Sequence, residues 1–177
     1  MRSLGKLIAL LGLLANATTS AFTLTNPPAM EPDSVDENMS PCGGGTVTES
    51  SNFTEWPNAG RDIKLTNVTG TASTFFLNVA LVEDITNFVT LYSNIPTHQT
   101  GDLCFPRIHG FSDENWLGKD AIFQIVQYAG NGVRNYQCSA IKFVLGDPAP
   151  NVCSGGDNPP NATTFHRRRV PLGRLLY

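Results

Sequence analysis

The chain has 177 residues, 15% of them charged, with a formal charge of −3, which allows one ordinary domain with a sizeable core and not two. The charge is uneven: Arg167, Arg168, Arg169 and Arg174 crowd the end, while residues 22–166 hold 15 acids against six bases, a net of −9. A surface of that sign repels phosphate backbones and attracts cations, which excludes nucleic acid as an expected partner.

In chain order, residues 1–21 read as a signal peptide. Arg2 and Lys6 precede the apolar run LIALLGLLA, and small residues close the segment at Ala21, the order of a secretory leader. The run is too short to span a bilayer. Cleavage after Ser20 leaves Ala21 first, and cleavage after Ala21 leaves Phe22 first. An extracellular location follows. In that oxidising route the even set Cys42, Cys104, Cys138 and Cys153 is expected to form two disulfides. No two of them have the close spacing of a zinc site. Asn-x-Ser/Thr acceptors for sugars begin at Asn38, Asn52, Asn67 and Asn161.

Residues 22–153 read as one all-β domain. Phe22–Thr25 opens it, and the segment 27–60, rich in Pro and Gly, is expected to be a long irregular loop tied down by Cys42. Asp62–Asn67 and Asn87–Tyr92 are short strand candidates. Between them Phe75, Leu77, Val79 and Leu81 alternate as one core face. KDAIFQIVQY at 119–128 is apolar on both faces, as in a central strand. Gly130-Asn131-Gly132 tolerates positive φ and predicts a hairpin between 121–129 and 133–145, with Ile141, Phe143 and Leu145 on one side. Six or seven strands at this spacing predict a sandwich. Residues 154–177, rich in Pro, Gly, Asn and Arg, are expected to be a disordered tail.

The blocks FTLTNPP (22–28), SPCGGG (40–45), RDIKL (61–65), GDLCFP (101–106), AIFQIVQ (121–127) and NYQCSAIKF (135–143), in that order, resemble the fungal copper acquisition factor family. The resemblance covers roughly residues 22–145. It implies an immunoglobulin-like antiparallel β-sandwich of about seven strands, similar to lytic polysaccharide monooxygenases in fold, with secretion and often a glycolipid (GPI) anchor at the plasma membrane. It implies the pairing Cys42–Cys138 and Cys104–Cys153. It also implies a Cu(II) cofactor in a histidine brace: an N-terminal His gives amine and imidazole, a second His adds an imidazole, and an Asp lies nearby. Cu(II) prefers such nitrogen donors in a near-planar set.

Carried onto this chain, the brace lacks its ligands. The first His falls on Ala21, the second in the block Thr66, Asn67, Val68, Thr69, Gly70, and the Asp near Leu117, with Asp120 close by. A copper site using a third-position His also fails, since neither possible amino terminus puts His there. Copper is therefore expected to be lost. His98 and His109, which flank Cys104, together with Asp120 (or Asp102 or Asp113), form the remaining candidate metal set, against the alternative of two surface imidazoles. His166 belongs to the tail.

No catalytic residue is expected. Ser112 lacks a nucleophile-elbow pattern, and the adjacent Asp113 and Glu114 diverge and cannot straddle a glycosidic bond. Trp56, Trp116, Tyr92 and Tyr128 are candidates for a carbohydrate-stacking face, or for packing. At the chain end, Ser154, Gly155 and Gly156 suit an anchor attachment site, but the arginines interrupt the apolar tail an anchor signal needs. The expected function is a non-catalytic, monomeric, secreted or cell-surface protein of the copper acquisition type. The alternative is a metal-free structural module, or one that binds cell-wall glycan.

Overall fold

The computed structural model describes residues 20–30, 36–46, 52–70, 72–98, 100–109 and 114–153. The leader through residue 19, the tail from 154 with Asn161 and His166, and Ser112 and Asp113 lie outside the described residues.

The described residues form eight strands: β1 (Phe22–Asn26), β2 (Thr54–Pro57), β3 (Arg61–Asn67), β4 (Ser73–Leu81), β5 (Val89–Thr97), β6 (Gly101–Ile108), β7 (Asp120–Ala129) and β8 (Arg134–Val144). Short 3-10 turns follow β4 and precede β7. One sheet has the order β1-β3-β6 and the other β2-β8-β7-β4-β5. All neighbours are antiparallel except β2 and β8, which run parallel. The expected all-β fold with two disulfides is thus found, with eight strands rather than about seven and one parallel pair. The hairpin β7–β8 forms, with Tyr128 opposite Arg134.

Two strands escape the alternation pattern. β2 is four residues long, ends in Pro57 and lies inside the segment expected to be irregular. A proline there is tolerated because β2 is an edge strand. β6 is also an edge strand and carries Pro106 before Arg107, whose φ is 48°, so its end breaks the period of two. Gly60 sits between β2 and β3 at φ 106°, and a side chain there would press to 3.2 Å from the Ile108 carbonyl. Only glycine fits that turn without strain.

The core lies between the sheets. Phe22 meets Phe75 edge-on at 5.6 Å, and Trp56 packs on Phe123 at 4.9 Å. Leu145, expected on the core side, is 72% exposed, because β8 ends one residue earlier. The apolar outer face of β7 has a separate explanation. Residues 27–30 and 36–46 fold over it, held by the Cys42–Cys138 disulfide, by Met30 N–H to Cys138 O at 2.9 Å and Tyr136 N–H to Glu37 O at 2.7 Å, and by Gln124 Nε2 to Pro41 O at 2.8 Å. Cys42, Ile122 and Cys138 are buried there with Met30, Val82 and Phe88 against them.

The second disulfide, Cys104–Cys153, ties β6 to the last described residue, so both bonds follow the pairing implied by the resemblance. The buried Asp62 carboxylate reinforces this clasp. It accepts N–H bonds from Arg107 (2.9 Å), Val152 (2.9 Å) and Cys153 (3.0 Å).

Candidate functional site

The inward face of β8 changes character along its length. Phe143 and Ile141 are buried in the apolar core, while Gln137 and Asn135 are buried among polar groups. The polar half lies at the end of the sandwich where β1 begins and β3 ends, since Phe22 pairs with Asn67. One residue further out, Val68 N–H donates to Ala21 O at 3.0 Å. The two blocks onto which the resemblance carries the family's histidines are therefore in direct backbone contact, although Ala21 and Val68 are 47 positions apart.

Around this contact the side chains form two connected sets. In the first, Glu37 accepts from Ala21 N–H at 2.7 Å through Oε2 and from Gln137 Nε2 at 2.8 Å through Oε1. The Ser20 hydroxyl lies in hydrogen-bond contact with Glu37 and the Phe22 carbonyl. Gln137 also donates to Phe22 O at 2.6 Å and accepts from Leu24 N–H at 2.8 Å. β1 is the edge of its sheet, so this one amide satisfies two backbone groups that a neighbouring strand would otherwise pair. In the second set, Gln127 Nε2 donates to Asn67 Oδ1 (3.1 Å) and Ser73 Oγ (3.2 Å), and Asn135 Nδ2 donates to Gln127 Oε1 (3.1 Å).

The copper that the resemblance implies does not fit these residues. Ala21 offers a methyl group, Val68 an isopropyl group that is 52% exposed, and the Ala21 nitrogen is already a donor to Glu37. Asn67 turns inward into the amide set. Neither Ala21 nor the block 66–70 carries an imidazole, so the two blocks do not supply the nitrogen donors a cupric brace requires.

The other candidate metal residues are not brought together. His98 follows β5 and His109 follows β6, both exposed. They stand at opposite ends of β6, with about 25 Å of extended strand between them. Asp120 opens β7 and pairs with Lys142 at 3.0 Å. His98 follows Thr97, which pairs through Ser73 with Ala129 at the other end of β7. Asp102 is held by Lys64 at 2.8 Å and by the Thr66 hydroxyl at 2.7 Å. Those two bonds, Lys64 first, lower its carboxyl below the usual range. Among the described residues no group of three or more His, Cys, Asp or Glu side chains converges.

The four aromatic candidates do not form one face either. Trp56 is 1% exposed in the core, and Trp116 and Tyr92 pack against that core half-buried. Tyr128 lies on the outer face with Phe76 at 4.8 Å, and the Arg134 guanidinium stands 4.8 Å from its ring. Of the sugar acceptors, Asn38 and Asn52 are exposed. Asn67 is buried, and its side-chain oxygen accepts from Gln127.

The polar network was not visible in the sequence, because Gln and Asn at alternate strand positions look like an ordinary solvent face. Against known proteins, residues 19–165 match the profile of the family described as copper acquisition factor BIM1-like. No curated protein matches the chain.

Proposed function

The chain belongs to the copper acquisition factor BIM1-like family, and from that premise we propose that it is a secreted, non-catalytic member that has kept the family's scaffold and exchanged the copper ligands for a carboxylate and amide network. The observation that carries this reading is the contact of Ala21 with Val68. It keeps the two blocks adjacent while the side chains of Ala21 and Val68 offer no metal donor. Secretion is supported by the leader pattern and by two disulfides, which persist in oxidising compartments. The absence of activity rests on the scattering of His98, His109 and Asp120, since catalysis needs a convergent set.

Replacement of the lost donors tests the reading. The double variant Ala21→His, Val68→His, produced with residue 21 as its amino terminus, is expected to gain one-to-one Cu(II) binding tighter than about 1 μM by calorimetry. The parent protein is expected to show none at that strength. A double variant that folds and gains no copper would mean that the ligand frame is not retained.

A second reading has its own observation. The Phe76, Tyr128 and Arg134 cluster on the outer face supports a metal-free module that stacks on cell-wall glycan. Retention on insoluble glucan or chitin that Tyr128→Ala abolishes would favour it. Equal elution of both proteins would remove it.

A further inference from the structure

Where processing leaves Ala21 first, the position the resemblance gives to the family's amino terminus, we propose that the α-ammonium group so created becomes the counter-ion of Glu37. The proposal rests on the reading that the first residues are a removable leader. It adds what the new terminus does.

Glu37 is held in place from its own backbone, whose carbonyl accepts Tyr136 N–H at 2.7 Å. Its carboxylate is half-buried and receives neutral donors, the Ala21 amide at 2.7 Å, the Gln137 amide at 2.8 Å and the Ser20 hydroxyl. No cationic side chain among the described residues pairs with it; the ion pairs found there are Lys64–Asp102, Lys119–Glu83 and Lys142–Asp120. A partly desolvated carboxylate met only by neutral groups is incompletely compensated.

A leader peptidase hydrolyses the Ser20–Ala21 amide with one water. The carboxylate leaves on Ser20 and the amine stays on Ala21, where it takes up a proton. The nitrogen that donated one neutral N–H to Glu37 Oε2 then carries a positive charge and three donors, which adds a Coulomb attraction between opposite charges to the hydrogen bond already there. Departure of Ser20 leaves nothing orphaned. Its partners are the Phe22 carbonyl, Glu37 Oε1 and Gln137 Nε2, which donates to it at 3.2 Å, and the first two still accept from Gln137. A cut one residue later would remove the Ala21 nitrogen and leave the Oε2 side of Glu37 without this donor. The pair also engages the amine on which an amino-terminal metal site would depend.

The first test is the terminus itself. The full chain is secreted from a eukaryotic host, deglycosylated, and its first residue read by mass spectrometry. The expected result is Ala21; a protein that begins at Phe22, or that keeps its leader, overturns the proposal. The second test compares proteins released from a cleavable fusion to begin at Ala21 or at Phe22. The Ala21 form is expected to melt higher by about 2–4 °C. Acetylation of its amine, or Glu37→Gln, should each cancel the gain. Equal melting temperatures for the free and acetylated Ala21 forms overturn the ion pair even where the Glu37 variant fails to fold. None of these readouts uses copper. A protein that begins at Ala21 and still binds Cu(II) tightly would refute only the loss of the ligand site.

Discussion

The two halves of the inward β8 face are built from the same strand geometry but held by different forces. Near Val144 the face consists of Phe143 and Ile141 in an apolar core, where stabilisation follows buried area and has no preferred direction. Near Arg134 it consists of Gln137 and Asn135, each buried and each satisfied by named partners. There, removing one partner leaves the others desolvated and unpaired. The apolar half can lose a methyl group and relax, whereas the polar half specifies which chain segments meet, and those segments are the ones onto which the resemblance carries the metal ligands.

The largest expected effect lies in the apolar half. Phe123→Ala removes a fully buried ring stacked on Trp56 and should cost about 3–5 kcal/mol in urea unfolding. A loss under about 1 kcal/mol would mean that this half is not the stability reservoir. Next, the double variant Cys42→Ser, Cys138→Ser should lose about 2–4 kcal/mol. It should also expose the outer face of β7, seen as faster hydrogen exchange at residues 121–127. Protection that stays unchanged would mean that residues 27–30 and 36–46 cover the sheet without their staple.

In the polar half, Gln137→Leu keeps the volume but deserts Leu24 N–H and Phe22 O, and should cost about 1–3 kcal/mol. Its separate signature is faster exchange at Leu24 than at core amides such as Ile125. The smallest effect belongs to the exposed Lys64–Asp102 pair. Because the folded carboxyl of Asp102 is lowered, its contribution is present above the unfolded carboxylate range near about 3.9 and is lost as pH falls through the folded value. Wild type and Asp102→Asn should differ slightly at neutral pH and converge in acid. A gap that widens in acid would contradict that assignment.

The apolar half was legible in the sequence and the polar half was not. Phe75, Leu77 and Val79 alternate over adjacent positions, so their shared face is a local property of the chain. The β7–β8 hairpin was likewise readable from three residues at its turn. Gln137, by contrast, acquires its role from Leu24, 113 positions away, and from Glu37, 100 positions away. No local period encodes such a pairing. Within the segment 27–60, expected to be irregular, residues 27–30 and 36–46 take their order from Cys138, Tyr136 and Gln124 rather than from their own pattern. His98 and His109 looked like partners because they are close in sequence, but an extended strand carries them apart.

The central claim is that this chain keeps the frame of a copper site without its donors. Calorimetry of Cu(II) on the matured wild-type protein, with the first residue confirmed by mass spectrometry, tests it most directly. The account predicts no binding tighter than about 1 μM. A one-to-one site of nanomolar strength would contradict it.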